Sequence, residues 1–259
     1  MPLARDRAIC LRKIDYSETS QILLLFGREY GLVRVIAKGA HRRTKAGASK
    51  FDGGLDLLDV GDAVFIHDPS KELNILTEWG LREGHLELRG SLRAVYLAQY
   101  AAELIALLFV EHDPHPALFD RLVQTLPELA TPRAEEAFLS FELDLLRESG
   151  YLPELAHCGE CGSPVGSHDQ SYFSPSRGGV VCRNCEGAVP DRIATDPRLL
   201  RLIQAVLKLP RGGNGNGAAA APQRLPRLSR HQTDPINRML AGHVEHTLGK
   251  RLRLGQYVV

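Results

Sequence analysis

Four of the chain's five cysteines stand in two C-x-x-C pairs, Cys158-Gly-Glu-Cys161 and Cys182-Arg-Asn-Cys185, with twenty residues between them. Each pair can close a tight turn that aims both sulfurs at one point. The loop between the pairs is long enough to fold back and complete a tetrahedron. This is the spacing of a zinc ribbon, in which four thiolates saturate Zn²⁺ and leave no position for water or substrate. Ser171–Ser174 and Gly179–Cys182 read as the short strands of a hairpin within it, among the turn residues Gly159, Gly162, Pro164, Gly166 and Gly178. Two disulfides would use the same cysteines. However, Met1–Arg7 holds no apolar segment of signal-peptide length, which favours a reducing, cytoplasmic setting. A thioredoxin-like motif would need one pair in a βαβ context and would not explain the second. Cys10, alone in an apolar run, reads as a small buried hydrophobe. A closed site implies a structural Zn²⁺ that folds a small unit and performs no chemistry.

No other constellation supplies a catalytic set. His85-Leu-Glu87 with Cys158–Cys161 mimics the H-x-E…C-x-x-C of zinc deaminases. That signature carries Pro before its first cysteine, where this chain has His157, and it leaves Cys182 and Cys185 without a purpose. His243 and His246 lie one helical turn apart beside Glu245 without a third carboxylate ligand, and read as a polar helix face. No Gly-rich loop with Lys-Ser/Thr follows a strand, and no G-x-S-x-G elbow is present. The chain is expected not to be an enzyme.

The net charge of +1 conceals an uneven distribution. Residues 1–50 carry eleven Lys/Arg against four Asp/Glu, and residues 223–259 carry seven against two, so the middle is acidic. Two basic ends suggest a polyanionic partner, since neutralising phosphates releases counterions. The sharpest basic feature is Arg34 and Lys38, at i and i+4 on one strand and therefore on one face. The acid-free loop after them carries His41, Arg42, Arg43 and Lys45, with Lys50 beyond. Arg34, Lys38, Arg42, Arg43 and Lys45 are the expected DNA- or RNA-binding residues, tracking a phosphate backbone with little regard to sequence. Tyr16 and Tyr30 are candidates either for base stacking or for packing at the strands.

The elements that would position these groups follow from periodicity. Ala8–Leu11, Ser20–Phe26, Leu32–Ala37, Leu57–Val60, Ala63–His67 and Leu73–Glu78 read as short strands punctuated by Gly and Asp, which suits an OB-type β-barrel. From about Gly84 the period turns helical, through Leu108, with further helices over Leu118–Leu129, Ala134–Ser149, a segment opened by Asp196-Pro197, and roughly Asp234–Leu248. Gly212–Pro222 is low-complexity and reads as a loop. The expected fold class is α+β: an OB domain over 1–80, a helical domain over 81–157 and 190–259, and a four-cysteine zinc ribbon over 158–189 inserted into it. Tyr96–Val110, the longest apolar stretch, is interrupted by Glu103 and too short to span a bilayer, so no membrane association is expected.

A barrel carrying Val33-Arg-Val-Ile-Ala-Lys-Gly-Ala-His-Arg-Arg43, a helical middle and an inserted four-cysteine module resembles the RecO family of recombinational repair proteins. Asp15-Tyr-Ser-Glu-Thr-Ser20, Glu142-Leu-Asp-Leu-Leu-Arg-Glu-Ser-Gly-Tyr-Leu-Pro153, Phe173-Ser-Pro-Ser-Arg-Gly-Gly-Val-Val-Cys182 and His246-Thr-Leu-Gly-Lys-Arg-Leu-Arg253 carry the likeness along nearly the whole chain. The resemblance implies a non-enzymatic mediator that binds single- and double-stranded DNA and anneals complementary strands. With RecR, it would assist RecA loading on DNA coated by single-strand-binding protein, whose C-terminal tail docks on the helical domain. It also implies a cytoplasmic, nucleoid-associated location and DNA contacts at Arg34, Lys38, Arg42 and Arg43. Two other readings stand beside it: a zinc-ribbon RNA-binding or transcription-associated protein, and a scaffold whose helical domain binds only proteins.

Overall fold

Leu3–Asp15 sets Arg5 and Arg7 against Ala4, Asp6 and Ala8 with a period of two, and the alternation folds as a long strand, β1, with the small residues inside. Ser20–Gly27 (β2) and Gly31–Lys38 (β3) continue it as antiparallel neighbours, followed by Phe51–Asp52 (β4), Val60–Ile66 (β5) and Asn74–Glu83 (β6). The computed structural model describes residues 2–40, 51–52, 55–68, 70–166, 170–209 and 226–259. The order β3-β2-β1-β5-β6 closes on itself because β3 pairs in parallel with β6, Val35 opposite Asn74. The result is the five-stranded barrel of an OB fold, with β4 attached to β6.

Leu23, Leu25, Val33, Val35, Ala37, Phe65, Leu76 and Trp79 fill its interior. Trp79 fits because Gly61 has no side chain: a Cβ there would lie 2.5 Å from the indole ring. The β2–β3 turn hangs on Asp6, whose carboxylate accepts hydrogen bonds from the amides of Glu29 (3.1 Å) and Tyr30 (3.0 Å). Leu57–Val60, expected as a strand, is instead mostly a turn leading into β5. The Asp59 carboxylate accepts from the Asp56 amide at 2.8 Å, Leu58 takes φ 68°, and its amide reaches the Cys10 carbonyl at 2.8 Å. Local aspartate hydrogen bonds outweigh the strand propensity of two leucines there.

A 3-10 turn at Leu86–Gly90 leads to helix α1, Leu92–Leu108, whose first turn is capped where the Ser91 hydroxyl accepts from the Ala94 amide at 3.3 Å. Pro116 opens α2, Pro116–Leu129. Arg28 in the β2–β3 turn donates two hydrogen bonds of 2.9 Å to Asp120 on α2. These elements make up the first of two compact units, Met1–Thr131; the second is Pro132–Val259. It comprises α3 (Ala134–Glu148), a three-stranded sheet of β7 (Ser171–Ser174), β8 (Gly179–Cys182) and β9 (Ile193–Thr195), and α4 (Pro197–Lys208), α5 (Arg230–Leu248) and α6 (Gly255–Val258). Helix α5 starts four residues before its expected onset, because Ser229 and Gln232 form a capping box ahead of Pro235. Gly249 ends it at φ 62°. Gly212–Pro222 lies outside the described residues. Among the described residues no helix is long and apolar enough to cross a membrane.

The chain's single tryptophan, buried in the barrel, makes its stability measurable. Gly61→Ala forces a methyl group into the indole and is expected to destabilise the first unit by about 1–3 kcal/mol. The measurement is a lower urea midpoint in Trp79 fluorescence; an unchanged midpoint would mean that the ring is not wedged against that backbone.

Candidate metal centre and nucleic-acid interface

The cysteine module is built by a knuckle and a hairpin. After Cys158, Gly162 takes φ 71° and its amide returns to the Cys158 carbonyl at 2.8 Å, while the Cys158 amide reaches the Ser163 carbonyl at 2.8 Å. The Gly159 amide donates to Val180 of β8 at 2.8 Å, which sets the knuckle against the strand that ends in Cys182. Glu160 and Arg177 pair at 2.8 Å across the same junction. The expected strands Ser171–Ser174 and Gly179–Cys182 are present and paired antiparallel. Strand β9, too short to show a period in the sequence, adds a third.

This framework brings all four sulfurs within 4.8 Å of one another, and Cys161 Sγ lies 3.8 Å from Cys182 Sγ. A tetrahedral ion with metal–sulfur bonds of about 2.3 Å needs sulfur–sulfur edges of about 3.8 Å, so the donors fit a metal bound by four sulfurs. Without a cation the thiols compete for protons. The Ser163 hydroxyl and amide hold Cys161 down to about 6, whereas hydrogen bonds with Cys161 and Cys182 push Cys185 up to about 12. A bound dication would deprotonate all four and remove that conflict. Among the described residues this is the one group of three or more metal-ligand side chains brought together. The histidines stay outside it. His157 is exposed beside Glu154, and His85 is a buried side chain 3.3 Å from Glu87. His243 corrects the expectation of a polar helix face. It is 6% exposed, meets Phe173 of β7 edge-on with ring centroids 6.0 Å apart, and pairs its Nε2 with the Tyr151 carbonyl at 3.0 Å. Only His246 faces solvent.

On the barrel, the β3 pattern places Arg34 and Lys38 outside while Val33, Val35 and Ala37 face the core. Arg34 forms an ion pair of 2.9 Å with Glu111, which follows α1. The carboxylate is held there by the His112 amide donating to the Leu32 carbonyl at 3.0 Å, and by Gly31, where a Cβ would sit 2.2 Å from the Asp113 carbonyl. Sequence reading missed this pairing because 77 residues separate the partners and nothing local announces it. Lys38 is exposed without an ion-pair partner among the described residues. Arg42, Arg43 and Lys45 lie outside the described residues. The two candidate tyrosines diverge. Tyr30 packs edge-on against Phe65 at 5.4 Å, whereas Tyr16 is 66% exposed at the β1–β2 turn.

The module can be tested by metal removal and by acid. Purified protein should hold one metal ion per chain, and chelation or Cys182→Ser should abolish it and collapse the hairpin while leaving Trp79 fluorescence unchanged. Metal content by mass spectrometry and far-UV circular dichroism read this; a folded hairpin in the metal-free protein would remove the structural role. The second test concerns His243. Burial pushes its imidazole below the ordinary 6.5, so the fold favours its neutral form. That contribution is fully present above about 6.5 and is lost as pH falls through that value, when the unfolded chain takes up the proton first. His243→Gln, which keeps a donor for Tyr151, should therefore show a smaller drop in melting temperature between pH 7.5 and 5.5 than the parent. Comparing the two proteins cancels the protonation of the sulfurs; parallel curves would refute the assignment.

Two family models match the chain: Recombination protein O N terminal over residues 1–84, and Recombination protein O C terminal over residues 89–253. The DNA repair protein RecO of Anaeromyxobacter dehalogenans strain 2CP-1 is 33% identical over 259 residues, covering all of this chain and 96% of the relative. That of Dehalococcoides mccartyi strain BAV1 is 34% identical over 204 residues, 77% of this chain and 78% of the relative. That of Rhodopirellula baltica is 37% identical over 180 residues, 69% of this chain and 65% of the relative. With a barrel under the first match and the four-cysteine module within the second, the chain belongs to the RecO family of DNA repair proteins.

Proposed function

We propose that the protein is a non-enzymatic recombination mediator that binds single- and double-stranded DNA and anneals complementary strands. With RecR, it assists RecA loading on DNA coated by single-strand-binding protein. In this reading residues 1–80 grip DNA through Arg34 and Lys38, together with Arg42, Arg43 and Lys45. Residues 81–157 and 190–259 form the helical part that receives the tail of single-strand-binding protein, and 158–189 is a ribbon held by structural Zn²⁺. The protein works in the cytoplasm, on the nucleoid. The observation that carries the reading is the outward placement of Arg34 and Lys38 on β3 of an OB barrel.

The physics of annealing supports it. Complementary strands repel through their phosphates, and a protein with more than one positive surface can hold both while their counterions are released. The barrel supplies one such surface. The second unit carries exposed Lys250 and Arg251, which could supply another. Arg34 must exchange Glu111 for phosphate. The exchange is cheap, because an exposed pair of this kind is worth about 1 kcal/mol or less. Zinc bound by four thiolates adds rigidity to its hairpin and offers no open position to a substrate.

The test is annealing of complementary oligonucleotides precoated with single-strand-binding protein, at about 50 and 200 mM salt. Five phosphate contacts on single strands give a slope of about −3.5 in log K against log salt, on the order of a hundred-fold loss between those conditions. Arg34→Glu combined with Lys38→Glu should remove most binding, and Glu111→Gln should tighten it by freeing Arg34. Normal annealing by the double variant would show that β3 is not the DNA surface.

A further inference from the structure

The strand register sets an aliphatic row across the outside of the barrel. Ile14 of β1 stands opposite Ile22 of β2, Ile22 opposite Ile36 of β3, and Ile36 opposite Ile75 of β6. The row continues through Ile66 of β5 to Leu3. These positions alternate with the core-facing Leu23, Val35 and Leu76, so they belong to the outer face, where Ile14 is 46% and Ile75 38% exposed while Ile22 is half-buried and Ile36 is buried between them. Exposed apolar side chains gathered beside cations on one sheet face mark a candidate binding site.

What flanks the row identifies its occupant. One neighbouring row is Arg12, Leu24 and Arg34; the other is Ser20 and Lys38. Tyr16 extends the second row, its amide still pairing with the Ser20 carbonyl at 2.9 Å and its side chain projecting at the turn. Arg34 and Lys38, four residues apart, are thus separated by about 13 Å with the isoleucines between them. Of the acids near this face, Asp15 turns aside to accept from Gln21 Nε2 at 2.9 Å, Glu18 lies at the tip of the β1–β2 turn, and Glu111 is committed to Arg34. An apolar strip bordered by cations, with an exposed aromatic ring at one end, matches a chain of flat apolar faces on a polyanionic backbone.

We infer that Tyr16, together with the exposed Ile14 beside it on β1, is a base-contacting platform that favours unpaired over paired strands. A duplex presents phosphates to Arg12, Arg34 and Lys38 but hides its base faces in the stack; a single strand offers both. The inference rests on the DNA-binding reading above and adds a contact that phosphates alone do not explain. Stacking on an aromatic side chain tolerates any base, so discrimination falls on strandedness rather than sequence.

The experiment compares three probes of equal length: oligo-dT, the corresponding abasic deoxyribose-phosphate oligomer of the same charge, and a blunt duplex, each titrated at low salt by fluorescence anisotropy. Tyr16 is exposed, so its substitution leaves the barrel folded, which Trp79 fluorescence verifies. Tyr16→Ala is expected to weaken oligo-dT binding about ten-fold or more, Ile14→Ala by less, and Tyr16→Phe to retain it. Binding to the abasic oligomer and the duplex should stay unchanged in all three. The parent should bind oligo-dT more tightly than the abasic oligomer by a similar factor. Equal parent affinity for oligo-dT and the abasic oligomer would overturn the platform. So would a Tyr16→Ala loss that is the same on every probe, or a change in sedimentation instead of binding, which would assign the row to self-association. If the parent binds none of the three, it is the DNA-binding reading itself that fails.

Discussion

Slipping β3 by one residue against β2 and β6 would carry Arg34 and Lys38 in among Leu23, Leu25 and Phe65, and would expose Val33, Val35 and Ala37 to water. Burying two unpaired cations costs several kcal/mol each, and the exposed valines would forfeit their own burial. The register is therefore strongly determined, and nearly every functional feature of the barrel inherits it. It aims the basic pair outward, sets the isoleucines in line across four strands, and lets β3 meet β6 in parallel so that the sheet closes. Asp6 and Gly31 hold the ends of the β2–β3 hairpin in that register, one through amide hydrogen bonds to the turn, the other by admitting the Asp113 backbone. Chemistry on the outer face is thus a consequence of packing on the inner one.

The cysteine module obeys a different logic. Its sheet has three strands of three or four residues, and apart from Phe173 its buried apolar side chains are small: Val165, Val180, Val181 and Val189. Such a small hairpin cannot hold itself together by apolar burial. A metal ion bound by the four sulfurs would substitute for a larger core, in keeping with cysteines placed on the knuckle and at and just after the end of β8. Phe173, met edge-on by His243, and the buried Val180 and Val181 supply apolar packing for the module. The buried imidazole hydrogen-bonds a backbone carbonyl, so it belongs to packing and not to ligation.

The sequence disclosed most where the constraint was local. The C-x-x-C spacing named its own geometry, the glycines between the pairs marked the hairpin, and Asp196-Pro197 and Gly249 marked helix ends that the structure retains. Features that depend on distant partners were not legible. The full length of β1 was hidden because Ala4, Asp6 and Ala8 give a weak apolar signal, though each is buried. Leu57 and Leu58 resembled a strand, because nothing in a hydropathy pattern reports that Asp56 and Asp59 bind each other's turn. His243 looked polar because a helix face is judged by composition, whereas its environment is set by a hairpin some seventy residues earlier. The isoleucine row needs pairing registers between four strands and cannot be seen one strand at a time.

Holding DNA is only half of an annealing mediator's task, since it must also let the product go. A purely electrostatic surface would hold the product at least as firmly as the reactants, because a duplex has the higher charge density. On the proposed reading the barrel has two features that oppose this. Glu111 competes for Arg34, which keeps the phosphate contribution moderate and leaves the carboxylate ready to reclaim its partner. Contacts to base faces exist only while the bases are unpaired, so each base pair formed removes a contact with Tyr16 and Ile14. Pairing thereby weakens the grip on the strands it joins, and the same differential affinity that selects single strands at the start favours release of the duplex at the end.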